Sequence, residues 1–172
     1  CMLMARPVLP WRGRITLSKA RGQEGSPDGT ATADAQVAAF FGSVTAADFQ
    51  VTGGQVSYSG PDEWSLSRFI LHYAALCAAA GGVEGFCIGT EMRGLTQIRG
   101  AGGVFSAVQR FRELAADARA LLGSSTKISY AADWSEYFGY QPQDGSVDRY
   151  FHLYPLWSDP IIDVLSLFPI CR

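Results

Sequence analysis

Two long amphipathic segments, each followed by a short apolar run that breaks off at a carboxylate, constrain this chain more than any other feature. The first segment is "PDEWSLSRFILHYAALCAAAGG", residues 61–82, followed by "GFCIG" and then Thr90-Glu91. The second runs from Val104 to Leu122, followed by "TKISYAA" and then Asp133-Trp134-Ser135-Glu136. In the first, Leu66, Phe69, Ile70, Tyr73, Ala74 and Cys77 recur at helical spacing. Pro61 and two acids suit its opening turn, and Gly81-Gly82 its end. In the second, Val104, Val108, Phe111, Leu114, Ala115, Ala118, Leu121 and Leu122 share one face and Gly123 ends it. "DPIIDVLSLF" reads as a further strand. Helix, strand, polar loop, repeated, predicts an α/β domain with a largely parallel sheet.

Two architectures compete. A doubly wound nucleotide binder needs a glycine-rich turn directly between a strand and its helix. "GAGG", Gly100 to Gly103, lies beyond its strand, lacks GxGxxG and is followed by no Lys-Ser or Lys-Thr pair. A (β/α) barrel instead brings polar side chains from the carboxyl ends of successive strands to one mouth, which is where Glu91 and Asp133 fall. The barrel fits better. At 172 residues, however, the chain is shorter than the roughly 250 of a complete eight-stranded barrel, so an incomplete TIM-barrel-like domain is expected.

Ahead of this core, residues 1–28 read as an irregular, exposed lead-in containing "RGQEGSPDG". "TATADAQVAAFFG" reads as a short helix stopped by Gly42, and "DFQVTGGQVSYSG" as a hairpin or bulged strand around Gly53-Gly54. A net charge of −2 and a pI near 5.6 argue against a general nucleic-acid or anionic-membrane surface. No apolar run approaches membrane-spanning length, and "CMLMARPVLP" lacks the layout of a signal peptide. Cys1, Cys77, Cys87 and Cys171 show neither CxxC spacing nor the density of a disulfide scaffold, and Cys77 and Cys87 are expected to be buried packing residues. His72 and His152 have no paired ligand spacing, so neither a metal nor any other cofactor is expected. His72, on its helix, is expected to be structural or exposed.

Several long blocks, "PWRGRIT", "QVAAFFG", "VSYSGPDEWSLSRFILHYAALCAAAGGVEGFCIGTEMRGLTQIRGAG" and "KISYAADWSEYFGYQPQDGS", resemble the TIM-barrel-like domain of gene-transfer-agent and phage-tail host-specificity proteins, from about Pro10 to Asp163. The resemblance implies a glycoside-hydrolase-like barrel within a large tail protein of phage-like particles. Such a protein would be made in the bacterial cytoplasm, would associate with other tail proteins, and would recognise or cleave a cell-surface or cell-wall polysaccharide. Three departures stand out: the first nine residues do not look like the family's preceding strand, Tyr154 stands before Pro155 where an acid is expected, and "VLSLFPICR" does not continue into the family's later strands. A truncated or frameshifted reading frame is the expectation that covers both ends.

Glycoside hydrolysis usually takes two carboxyl groups, one protonating the leaving oxygen and one attacking carbon or activating water. The resemblance places Glu91 at the proton-donor position; the competing reading pairs it with Arg93 or Arg99 to pin the loop. Asp133 and Glu136 are further catalytic candidates, with Asp133 alternatively capping the turn after its strand. Arg93, Trp134, Tyr137 and His152 are candidate substrate contacts, and Tyr140 and Trp157 are expected to add aromatic character to the mouth. A retaining hydrolase of this kind takes its nucleophile from a late strand that this chain does not reach, so inefficient turnover, or none, is expected of these 172 residues alone. A non-catalytic barrel that binds glycan or builds the tail hub is the alternative.

Overall fold

The computed structural model describes residues 11–142 and 147–168; Cys1, Cys171 and the rest of residues 1–10, 143–146 and 169–172 lie outside the described residues. From Trp11 to Thr30 the chain is largely exposed and carries one short 3-10 turn, Arg12–Arg14, with Gly13 and Leu17 buried. Helix α1 (Ala31–Phe41) follows, then a hairpin of β1 (Phe49–Thr52) and β2 (Gln55–Tyr58) paired antiparallel around Gly53-Gly54. The main frame is α2 (Leu66–Ala79), β3 (Gly85–Thr90), α3 (Arg93–Thr96), α4 (Ser106–Leu122), β4 (Lys127–Asp133), α5 (Trp134–Tyr137), α6 (Tyr154–Trp157) and β5 (Val164–Phe168). Among the described residues no helix is long and apolar enough to cross a membrane.

Strands β3, β4 and β5 form a parallel sheet in that order, with β4 in the centre. The chain is therefore mixed α/β with a parallel sheet, and the described residues close no barrel. One face of the sheet carries Ile128, Tyr130 and Ala132, all fully buried, with Tyr130 packed 5.0 Å from the Phe111 ring of α4. The opposite face carries Cys87, Ser129, Val164 and Ser166, small or partly exposed, with the Ser129 hydroxyl donating to Ser166 Oγ at 2.7 Å. Cys87 is thus exposed, against the expectation that it packs in the core: alternation along β3 turns it to the face that α4 does not cover. Cys77 is half-buried.

Three further expectations need correction. The buried face of α2 is Ser67, Leu71, Ala74 and Ala75, whereas Phe69 and Tyr73 are 58% and 50% exposed. The stripe is rotated because small side chains let α2 lie close against α4, and the two large rings pair with each other outside at 5.1 Å. The helix also starts later than Pro61 suggests. The Ser65 hydroxyl accepts the Arg68 backbone N–H at 3.2 Å and caps it, while Glu63 accepts the Ser43 N–H at 2.9 Å. His72 is exposed. Finally, the loop after β3 is not a solvated polar excursion. Met92, Leu95, Thr96, Gln97 and Ile98 are buried, and α3 sits so close to the lead-in that a Cβ on Gly94 would meet the Gly13 and Ile15 carbonyl oxygens at 2.7 Å.

Near its carboxyl end β3 bulges. Cys87 pairs with Ser129 but Thr90 pairs with Ala131, so one extra residue is accommodated in β3. Gly89 makes this possible, since a Cβ there would come within 2.9 Å of the Phe111 ring. The bulge re-aims the chain just where the polar residues begin.

Candidate functional site

The pairing of Thr90 with Ala131 brings the ends of β3 and β4 side by side, so Glu91 and Asp133 leave the sheet at the same end. Glu91 has φ of 53°, the one non-glycine residue in the left-handed region among those described. Its N–H donates to the Ala131 carbonyl at 2.8 Å, which holds it in that conformation. A long side chain there stores backbone strain of about 1 kcal/mol. The Glu91 side chain is 25% exposed and its ion-pair partner is Arg12, Nη2 to Oε2 3.7 Å, itself half exposed. The expected structural partners are otherwise placed: Arg93 is exposed on α3, and Arg99 forks onto Asp28 at 2.9 and 3.1 Å. Beside Glu91, Thr90 Oγ1 is buried without a hydrogen-bond partner among the described residues.

The carboxylates after β4 are arranged quite differently. Asp133 accepts the Ser135 N–H at 2.9 Å and the Ser135 hydroxyl, so it caps α5. Glu136 closes the capping box by accepting the Asp133 N–H at 2.8 Å. It is 1% exposed and also accepts from Thr96 Oγ1 at 2.7 Å and the Tyr130 hydroxyl at 3.1 Å. Burial raises the Glu136 carboxyl above the ordinary glutamate range even against these hydrogen bonds. Tyr130 in turn accepts the Met92 N–H at 3.0 Å, so the two post-strand loops are stitched together through one phenol. Its own ionisation is pushed well up by burial and by Glu136.

His152 joins the same cluster. It is 2% exposed, and its Nε2 lies 3.3 Å from Thr96 Oγ1. Burial lowers its pKa to about 4, so the ring is neutral at neutral pH. Its Nδ1 has no hydrogen-bond partner among the described residues.

Aromatic rings border this end of the sheet on α5. Trp134, Tyr137 and Phe138 are 45%, 50% and 59% exposed, and the Tyr137 ring lies 5.7 Å from Phe138 and 6.0 Å from Trp157. Phe138 was not among the expected contacts, although Trp134 and Phe138 lie four apart, a spacing that places both on one helical face. Tyr140 does not belong to this shelf. It is 2% exposed and stacks 6.1 Å from Tyr150 beneath Phe105. Among the described residues no group of three or more His, Cys, Asp or Glu side chains gathers as metal ligands.

A family model, the GTA TIM-barrel-like domain, matches residues 64–169. The chain belongs to that family. No curated protein matches the sequence. The match to the GTA TIM-barrel-like domain begins at Trp64 and takes in α2 and the whole parallel sheet, hence Glu91, Asp133, Glu136 and the aromatic shelf, while α1 and the hairpin precede it.

Proposed function

We propose that this domain engages a bacterial cell-surface or cell-wall polysaccharide as part of the tail of a gene-transfer-agent or phage-like particle, with Glu91 as its working carboxylate. The observation that carries this reading is the held, strained and partly exposed Glu91 at the end of β3, because residues kept in a costly conformation cluster at functional sites. Trp134 and Tyr137 supply flat apolar platforms for the C–H faces of sugar rings, and Arg93 a hydrogen-bond donor at the same end. Assembly with other tail proteins and a place in the particle belong to the same proposal and rest on the family.

Recognition is favoured over turnover for the chain as it stands. Hydrolysis asks for a second carboxyl group facing the first. Asp133 is occupied as a helix cap and Glu136 is enclosed by three donors, so each already has structural work. Glu91 then grips a sugar hydroxyl, and would act as proton donor wherever a partner carboxylate is supplied.

Retention on columns of immobilised cell-wall and capsular polysaccharide tests this, alongside release of reducing ends. Wild-type protein is expected to be retained without appreciable turnover, with Trp134→Ala and Glu91→Gln each weakening retention about tenfold. Rapid release of reducing ends abolished by Glu91→Gln would replace recognition by catalysis. Absence of retention in the wild-type protein would remove the glycan reading and leave a structural tail domain, whereas retention unchanged in both variants would take Glu91 and Trp134 out of the binding site.

A further inference from the structure

Away from the Glu91 loop, a cleft of about 430 Å³ opens between the first half of α4 and the segment 149–155. That volume lies in the range of small-ligand sites. Phe105, Tyr150 and Phe151 form its walls, and His152 reaches it from the buried Thr96–Glu136 cluster. Tyr150 is 38% exposed and Phe151 62%, an unusual amount of aromatic surface to leave beside a concavity.

The charge of the lining narrows the occupant. Arg112 and Arg149 line the cleft, and among the described residues no Asp or Glu does. Arg112 is held by Asp159, Nε to Oδ2 2.8 Å. Arg149 is exposed and makes no ion pair among the described residues. With Arg112 neutralised by Asp159, Arg149 is the lining cation left to meet a negative group; Asp148, next to it in sequence, accepts the Tyr150 hydroxyl at 3.4 Å. The buried imidazole adds a second polar feature at the cleft, its Nε2 lying 3.3 Å from Thr96 Oγ1. An aromatic wall and a guanidinium that makes no ion pair among the described residues together suit a ring with apolar faces, hydroxyls and one carboxylate.

We propose that this cleft binds an acidic sugar unit, the ring lying against Phe105, Tyr150 and Phe151 and its carboxylate pairing with Arg149. The proposal deepens, and rests on, the glycan reading above by assigning a uronic-acid-type component to the polysaccharide. Guanidinium and carboxylate match in planar, two-point geometry, which a neutral sugar cannot reproduce.

The test is a titration of ¹⁵N-labelled protein with tri-galacturonate, with maltotriose and inorganic sulfate as comparisons, followed through the backbone amides. Tri-galacturonate is expected to shift Phe105, Tyr150 and Phe151 in a saturable way, and maltotriose to leave them in place. Arg149→Gln and Phe151→Ala, both at exposed positions, should each weaken that binding about tenfold. Equal shifts with maltotriose, the same shifts with sulfate alone, or undiminished binding by Arg149→Gln would overturn the proposal. So would tri-galacturonate shifts confined to Trp134 and Tyr137, and that result would leave the glycan reading standing. Conversely, cleft shifts in a protein whose polysaccharide retention ignores Trp134→Ala and Glu91→Gln would keep this site and remove the other.

Discussion

The carboxylates that follow β3 and β4 leave adjacent strands at the same end of one sheet, yet they are held in opposite ways. Glu91 is strained at φ 53°, a quarter exposed, and paired among the described residues with one half-exposed arginine at 3.7 Å. Glu136 is enclosed and accepts hydrogen bonds from Thr96, Tyr130 and the Asp133 backbone. A carboxylate surrounded by donors stabilises the fold and has little capacity left for a ligand. One that costs backbone energy and has few partners stabilises little and remains available. Position in a barrel-like frame therefore does not by itself assign a role; the number of occupied lone pairs does.

The largest expected effect tests the enclosed side. Glu136→Ala strands the Thr96 and Tyr130 hydroxyls and the Asp133 N–H in the interior, a loss of about 3–4 kcal/mol measurable by urea denaturation. Glu136→Gln keeps the shape and part of the bonding and should lose about half as much. If Glu136→Ala cost no more than an exposed carboxylate does, the contrast with Glu91 would collapse.

Next comes pH, through His152 in the same cluster. Its pKa falls from an ordinary 6.5 to about 4, so the unfolded chain binds the extra proton first. Stability is then full above about pH 6.5 and declines as pH drops towards 4, by an upper bound of about 3 kcal/mol relative to His152→Gln. Glu136 acts in the opposite sense: its raised pKa means that ionisation disfavours the fold, so its contribution weakens as pH rises from its ordinary value of 4.5 through the raised one. Urea midpoints between pH 4 and 7 should therefore climb more steeply in Glu136→Gln than in wild type, and lose the climb in His152→Gln. A parallel set of profiles would show that neither group titrates from a buried site.

How much of this contrast is legible in the sequence depends on whether the cause is local. Helix α4 follows its periodicity closely because its one apolar stripe had one core to face, although Val104 lies outside it and is exposed. The hairpin at Gly53-Gly54 was equally readable. For α2 the apolar residues outnumbered the core positions, and the small Ser67, Ala74 and Ala75, not the rings, determined which side approaches α4. The capping box was written in Asp133-Trp134-Ser135-Glu136, an acid followed three residues later by Glu, and that spacing already favoured structural work for Glu136. The strain at Glu91 had no such signature. It arises from a bulge against β4 and from a hydrogen bond to Ala131, forty residues away, which no pattern within β3 encodes. Tyr140 likewise looked like a mouth aromatic because its partners Phe105 and Tyr150 come from distant segments.

A smaller effect, of reversed sign, tests the open side. Glu91→Gly removes a side chain from a conformation that glycine adopts freely, and should raise stability by about 1 kcal/mol while reducing polysaccharide retention. Gain of stability with loss of binding is the pattern of a residue kept for function rather than for the fold. A destabilised Glu91→Gly protein would instead show that the Glu91 side chain contributes more to the fold than its single long contact indicates.

The smallest expected effect concerns that contact itself. Arg12 is carried by the lead-in, whose backbone is pressed against α3 at Gly94, so the guanidinium is brought near Glu91 by packing that does not involve the ion pair. With Arg12 half exposed and 3.7 Å away, solvent screening leaves the pair worth no more than about 0.5 kcal/mol. Arg12→Ala should therefore shift the urea midpoint barely at all, and polysaccharide retention should persist because Glu91, the carboxylate proposed to grip a sugar hydroxyl, remains in place. A loss above about 1 kcal/mol would mean that Glu91 is held as firmly as Glu136, by charge instead of hydrogen bonds, and the distinction between an occupied and an available carboxylate would no longer separate the two strand ends.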